Sequence, residues 1–159
     1  MDSIDKVFDD IIKQMDRLYE VREKVLLMIR KGIRDCAKAI NLIHLGEFKD
    51  AYKMMEGIKD TYKKVKKEIE KNKLCETIAY NFYQEYVEAY TFYGVLVDGR
   101  VYEPGELGVS PVPYVLGLCD MVGELRRYVL NLIKDGDLER SERISKVMLK
   151  LYDNLNLLV

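Results

Sequence analysis

Apolar residues recur three or four apart from Ile4 to Ile43, through Val7, Phe8, Ile11, Met15, Leu18, Val25, Ile29, Ile33, Cys36 and Ile40. That spacing predicts one very long amphipathic helix, capped by Asp2 or Ser3 and stopped at Gly46. Gly32 weakens its middle by about 1 kcal/mol relative to alanine. A second helix is predicted from Glu47 to Asn72, with Phe48, Ala51, Met54, Met55, Ile58, Tyr62, Val65 and Ile69 on one face. A third covers Cys75 to Leu96 and is apolar and aromatic nearly all round, the pattern of a central helix. Asp98 to Pro113 holds three glycines and all three prolines, which reads as a loop. A fourth helix follows from Tyr114 to Lys134. Asp135-Gly136-Asp137 ends it and offers a cap to a fifth, from Leu138 to Leu157. The pattern predicts an all-α, antiparallel bundle of about five helices with short connections, one domain over residues 1–159.

The chain's 159 residues, 48% of them hydrophobic, suffice for a real core. No apolar run spans a membrane, and Met1-Asp2-Ser3-Ile4-Asp5 lacks the pattern of a signal peptide, so a cytoplasmic location is expected. Cys36, Cys75 and Cys119 form no CxxC pair and read as reduced, buried thiols. A formal net charge of −1 excludes a globally basic nucleic-acid binder, so any basic surface is local. Charge is nonetheless uneven. Residues 1–10 carry four Asp against one Lys, net −3, whereas residues 49–73 carry nine Lys against five acids, net +4. A solvated helix face explains that lysine excess as well as a nucleic-acid contact does.

Two acidic pairs interrupt the apolar helices. Glu85 and Glu88 lie three apart on the third, and Asp120 and Glu124 four apart on the fourth, so each pair shares a helix face. Small and polar residues continue both stripes: Asn81 on the third, and Gly117, Arg127 or Tyr128, and Asn131 on the fourth. A buried carboxylate needs a partner or a metal. One reading is structural, with Glu124 paired to Arg127 or Tyr128 and Glu85 and Glu88 facing water. The other turns the two faces together into an all-oxygen pocket suited to Mg²⁺ or Mn²⁺ and to phosphodiester chemistry. Di-iron bundles need a Glu-x-x-His motif on each of two helices. The lone His44 lies far in sequence from all four acids, which favours a hard cation over redox iron. The lone histidine also disfavours an RNase that uses a histidine pair. No phosphate-binding glycine loop is present.

Two blocks resemble a known family. One is Gln84-Glu85-Tyr86-Val87-Glu88-Ala89; the other runs from Val109-Ser110-Pro111 through Gly117-Leu118-Cys119-Asp120-Met121-Val122-Gly123-Glu124 to Arg127, continuing to Gly136-Asp137. They are similar to translin and its partner, translin-associated factor X (Trax), and the likeness extends over nearly the whole chain. In that family the Trax-type subunits carry both acidic pairs and are Mg²⁺-dependent endoribonucleases. The translin-type subunits lack the pair on the third helix and bind nucleic acid without cutting it. The chain keeps all four acids, so the resemblance implies metal coordination and water activation by Glu85, Glu88, Asp120 and Glu124. It also implies a closed, hollow homo-oligomer with inward-facing sites. Family members usually continue past the equivalent of Leu157-Leu158-Val159 with a further helix, and the loop from Asp98 is shorter than in animal Trax. The shorter loop, together with the Lys- and Glu-rich surface, suggests an archaeal or other minimal version.

The RNA expected as partner, single-stranded or a short duplex, would be held by its backbone and released by salt. Arg126 and Arg127 beside the acids, and Arg30, Arg34 and Lys38 along the first helix, are candidate contacts, although each taken singly is better explained as a surface charge or ion-pair partner. The third-helix tyrosines offer stacking surfaces but suit core packing better. The alternatives to an endoribonuclease are a non-catalytic, translin-like oligomer that binds single-stranded RNA or DNA, and a helical scaffold with no nucleic-acid role.

Overall fold

In the computed structural model, which describes residues 2–158, the chain is all-α, with no strand among the described residues. Six α-helices follow in order: α1 (Asp2–His44), α2 (Phe48–Asn72), α3 (Tyr80–Tyr93), α4 (Pro104–Leu107), α5 (Pro111–Lys134) and α6 (Leu138–Leu155). The first helix has 43 residues and is about 65 Å long. Gly46 closes it at φ +75°, with its N–H on the Ile43 carbonyl and the Glu47 N–H on Leu42. This C-terminal motif needs a left-handed residue, which glycine adopts without penalty. The side chains of Asp2 and Ser3, expected to cap α1, lie outside the described residues.

α1 packs on α2 and α3, α3 on α5, and α5 on α6, so α3 lies at the centre. Tyr83, Tyr86, Tyr90, Phe92 and Tyr93 are buried there, which settles the tyrosines as core. The Tyr62 and Tyr86 rings stack with centroids 4.6 Å apart.

Three expectations are corrected. The predicted third helix changes pitch twice: a 3-10 turn over Glu76–Ala79 precedes α3, and a π turn over Gly94–Asp98 ends it. The backbone at Gly94 meets another segment closely, since a Cβ there would come within 2.7 Å of the Arg100 carbonyl. The predicted loop contains α4, whose Glu103 N–H donates to Glu106 Oε2 at 2.8 Å. It also ends earlier: α5 begins at Pro111, because prolines in a first turn give up only N–H groups the helix leaves free. Of the three cysteines, only Cys36 is buried; Cys75 and Cys119 are exposed.

The apolar pattern of α1 divides in two. Val25, Ile29, Cys36, Ile40 and Ile43 enter the core, whereas every residue from Ile4 to Glu20 is exposed. No described helix is long and apolar enough to cross a membrane.

Candidate metal and nucleic-acid site

The site depends on how closely α3 and α5 approach. A Cβ on Gly117 would lie 2.6 Å from the Gln84 carbonyl and 2.7 Å from Val87 Cβ. Only glycine permits that separation. Beside that contact stand the acidic residues: Glu85 and Glu88 next to Gln84 and Val87 on α3, and Asp120 and Glu124 one and two turns beyond Gly117 on α5. Gly32 plays a similar part between α1 and α3, because a Cβ there would come within 2.3 Å of the Phe82 ring. The helix-propensity cost of Gly32 is therefore offset by packing.

The two α3 carboxylates are buried enough, and near enough to the two on α5, to titrate above their ordinary range. Glu88 is 8% exposed, which excludes the reading in which it faces water. Burial, then the charges of Glu85, Asp120 and Glu124, push its pKa up to about 8. Glu85 is half-buried, and its pKa is raised by burial and then by Asp120 and Glu124. Beneath them on α1, the Cys36 thiol is raised by burial first and then by Glu85 and Glu88.

Each α5 carboxylate is tied to a neighbour through one oxygen. The Gln84 amide donates to Asp120 Oδ2. His44 Nε2 lies 2.5 Å from Glu124 Oε2, and Arg127 Nη1 lies 3.6 Å from the same oxygen. The His44 side chain is 6% exposed, and its ring packs 5.0 Å from Phe92 and 6.0 Å from Tyr128, centroid to centroid. Its Nδ1 is buried without a hydrogen-bond partner. The histidine that sequence separation placed far from the acids is thus in direct contact with one. His44 and Gln84 are the two site residues that sequence reasoning missed. Gln84 adjoins Glu85, but no local pattern links His44 to Glu124, 80 positions away.

The donor set suits a hard divalent cation: four carboxylates, all oxygen, with proton affinity raised where like charges crowd. As the side chains stand, no three His, Cys, Asp or Glu residues among the described residues converge closely enough to hold an ion. Gln84, His44 and Arg127 engage only Oδ2 of Asp120 and Oε2 of Glu124. The second oxygen of each has no hydrogen-bond partner among the described residues.

Of the candidate RNA contacts, Arg126 and Arg127 are exposed and line a shallow cavity with Gly123, Leu130 and Asn131. Arg30, Arg34 and Lys38 are exposed on α1, with Lys38 Nζ 3.8 Å from Asp35 Oδ1.

The translin family model matches residues 6–159. The chain belongs to the translin family. An uncharacterized protein of Methanocaldococcus jannaschii is 36% identical over 138 residues, covering 85% of this chain and 61% of that protein. The translin-associated protein X homolog of Schizosaccharomyces pombe is 30% identical over 125 residues, covering 69% of this chain and 54% of that protein. The translin-family chain thus spans between half and two thirds of the length of these two curated relatives. Among solved structures, AfC3PO superposes with a TM-score of 0.87 at 30% identity, over 95% of this chain and 79% of that one. A complex of AfC3PO with duplex RNA gives 0.85 at 30% identity, over 93% and 77%. The apo form of NeC3PO, at 20% identity and a TM-score of 0.76 over 94% and 96%, shares the fold.

Proposed function

We propose that this translin-family chain is the catalytic type of subunit: a Mg²⁺-dependent endoribonuclease acting within a homo-oligomer, with Mn²⁺ able to replace Mg²⁺. One observation carries the reading. The α3–α5 approach at Gly117 brings two acidic pairs to one place, where burial and then the charges of Glu85, Asp120 and Glu124 push the Glu88 pKa up to about 8. Such a cluster is electrostatically incomplete without a cation. The Trax-named relative and the AfC3PO–duplex RNA complex support the reading.

Glu85, Glu88, Asp120 and Glu124 would hold the cation. Bound Mg²⁺ supplies a Lewis acid for a phosphate oxygen and lowers the pKa of a coordinated water. The chain's own residues do the rest. Gln84 and His44 each fix one oxygen of an α5 carboxylate, which orients the other. A carboxylate of this set left free by the cation would accept the proton of the attacking water. Arg127 and Arg126, exposed beside the acids, bind the phosphate backbone and balance the charge of the site. Arg30, Arg34 and Lys38 extend that backbone contact along α1.

A second reading, an oligomer that binds RNA or DNA without cutting it, is favoured by the absence of a converged ligand triple among the described residues. An RNase-free preparation separates the two. A nuclease cuts single-stranded RNA in Mg²⁺ and stops in EDTA. A binding module retains the RNA uncut in both, with affinity that falls as salt rises.

A further inference from the structure

The exposed N-terminal segment of α1 has an ordered surface. At 100° per residue, Val7, Leu18, Ile11, Ile4, Met15, Phe8, Tyr19 and Ile12 form one continuous apolar arc. Each of these side chains is at least 40% exposed. Directly beside the Ile12 edge run Asp5, Asp16, Asp9 and Glu20, an acidic ridge along one side of the stripe. None of these four acids has an ion-pair partner among the described residues.

The opposite features occur elsewhere on the chain. Between α6 and the segment Val95–Val101 lies a cavity of about 690 Å³. Val95, Ile144, Val147 and Leu151 give it an apolar floor, and Arg100, Arg143 and Lys150 line it as well. Arg100 is taken by Glu106 at 2.8 Å, whereas Arg143 and Lys150 have no carboxylate partner among the described residues.

The registers also agree. Arg143 and Lys150 are seven positions apart on α6, and so are Asp9 and Asp16 on α1. Seven residues of helix rise about 10.5 Å, so both cations can meet both acids when the two helices lie alongside.

We propose that the N-terminal arm of α1 in one copy docks into the α6 groove of a second copy. The apolar arc lies on the Val147–Leu151 floor, and Asp9 and Asp16 face Arg143 and Lys150. Burial of the arc supplies most of the affinity, and the charges set register and direction. Because each copy carries both an arm and a groove, the contact can close by symmetry. This names the surfaces behind the oligomer in the proposed function and rests on that part of it alone. It requires neither RNA cleavage nor metal.

The test is the mass in solution by light scattering, in EDTA and without RNA. Asp9→Lys/Asp16→Lys reverses the arm, and Arg143→Glu/Lys150→Glu reverses the groove. All four positions are exposed, so helicity by circular dichroism should match wild type. Either reversal alone should lower the mass at fixed concentration, and the two combined in one chain should restore it. Three results would overturn the proposal. One is an arm reversal that lowers the mass while the groove reversal does not, which would send the arm to another surface. Another is loss of mass in both without restoration in the combination. The third is a monomeric wild type, which would leave arm and groove to a different protein.

Discussion

His44, at the last position of α1, holds Glu124 of α5 by a contact of 2.5 Å between Nε2 and Oε2. The imidazole reaches it because the Phe92 and Tyr128 rings flank it and leave its side chain only 6% exposed. The helix end that Gly46 terminates is therefore also a wall of the acidic site.

If His44 orients Glu124 for a cation, losing it should weaken cation binding more than folding. His44→Ala should reduce Mn²⁺ affinity by about 10-fold to 100-fold, the usual effect of removing a partner of a metal ligand. His44→Gln, which keeps a donor, should recover part of that loss. Isothermal titration of the metal-free chain with Mn²⁺ reads both. Unchanged affinity in His44→Ala would make the histidine a packing residue only.

Glu88 should make the metal-free protein less stable as pH rises. Its pKa is about 8 in the folded chain against 4.5 ordinarily. Between those values the folded state keeps a proton that the unfolded state has released, so stability falls with rising pH across that window and levels off above it. Each pH unit within the window is worth about 1.4 kcal/mol at most. Melting in EDTA should therefore occur at a lower temperature at pH 8.5 than at pH 6, and Glu88→Gln should flatten the difference. Added Mg²⁺ should raise the melting temperature most at the alkaline end, because protons compete with the cation as pH falls. Cation affinity that is flat between pH 5 and 8 would count against the cluster.

Gly117→Ala should disturb the site without touching an acid. Its Cβ would be forced against the Gln84 carbonyl, so α3 and α5 must separate. Overpacking of this kind costs about 1–3 kcal/mol. Thermal unfolding should show that loss, and Mn²⁺ titration a weaker site. Gly123→Ala, where a Cβ meets nothing within 4 Å, is the control and should leave stability unchanged or slightly higher.

Arg126→Ala and Arg127→Ala should each weaken RNA binding uniformly across sequences and lower the slope of log affinity against log salt by about 1. Fluorescence anisotropy at several salt concentrations in EDTA separates this from cleavage. Arg127→Ala with unchanged affinity would confine that residue to its 3.6 Å pairing with Glu124.

Much of this was legible along the chain because it is local. The three-or-four spacing from Ile4 to Ile43, the Gly46 stop and the Asp135-Gly136-Asp137 break are short-range signals, and the structure keeps all three. The shared faces of Glu85 with Glu88 and of Asp120 with Glu124 follow from helical pitch alone. What the pattern concealed is long-range. Nothing near His44 indicates Glu124. Gly32 and Gly117 read as helix weaknesses or small-residue gaps until Phe82 and Gln84 are placed against them. Periodicity also treats Ile11 and Ile29 alike, although one is exposed and the other buried, because an amphipathic stripe does not say which molecule covers it. The π turn at Gly94 and the early start of α5 depend on tertiary contacts and on first-turn proline geometry.

The most direct measurement is cleavage of a labelled single-stranded RNA, in Mg²⁺ and in EDTA, by wild type, Glu88→Gln and Glu124→Ala purified in parallel. A nuclease centred on the four carboxylates predicts cutting by wild type in Mg²⁺ alone and loss in both variants with RNA binding retained. No Mg²⁺-dependent cutting, or equal cutting by the variants, would contradict it and leave the chain a nucleic-acid-binding module.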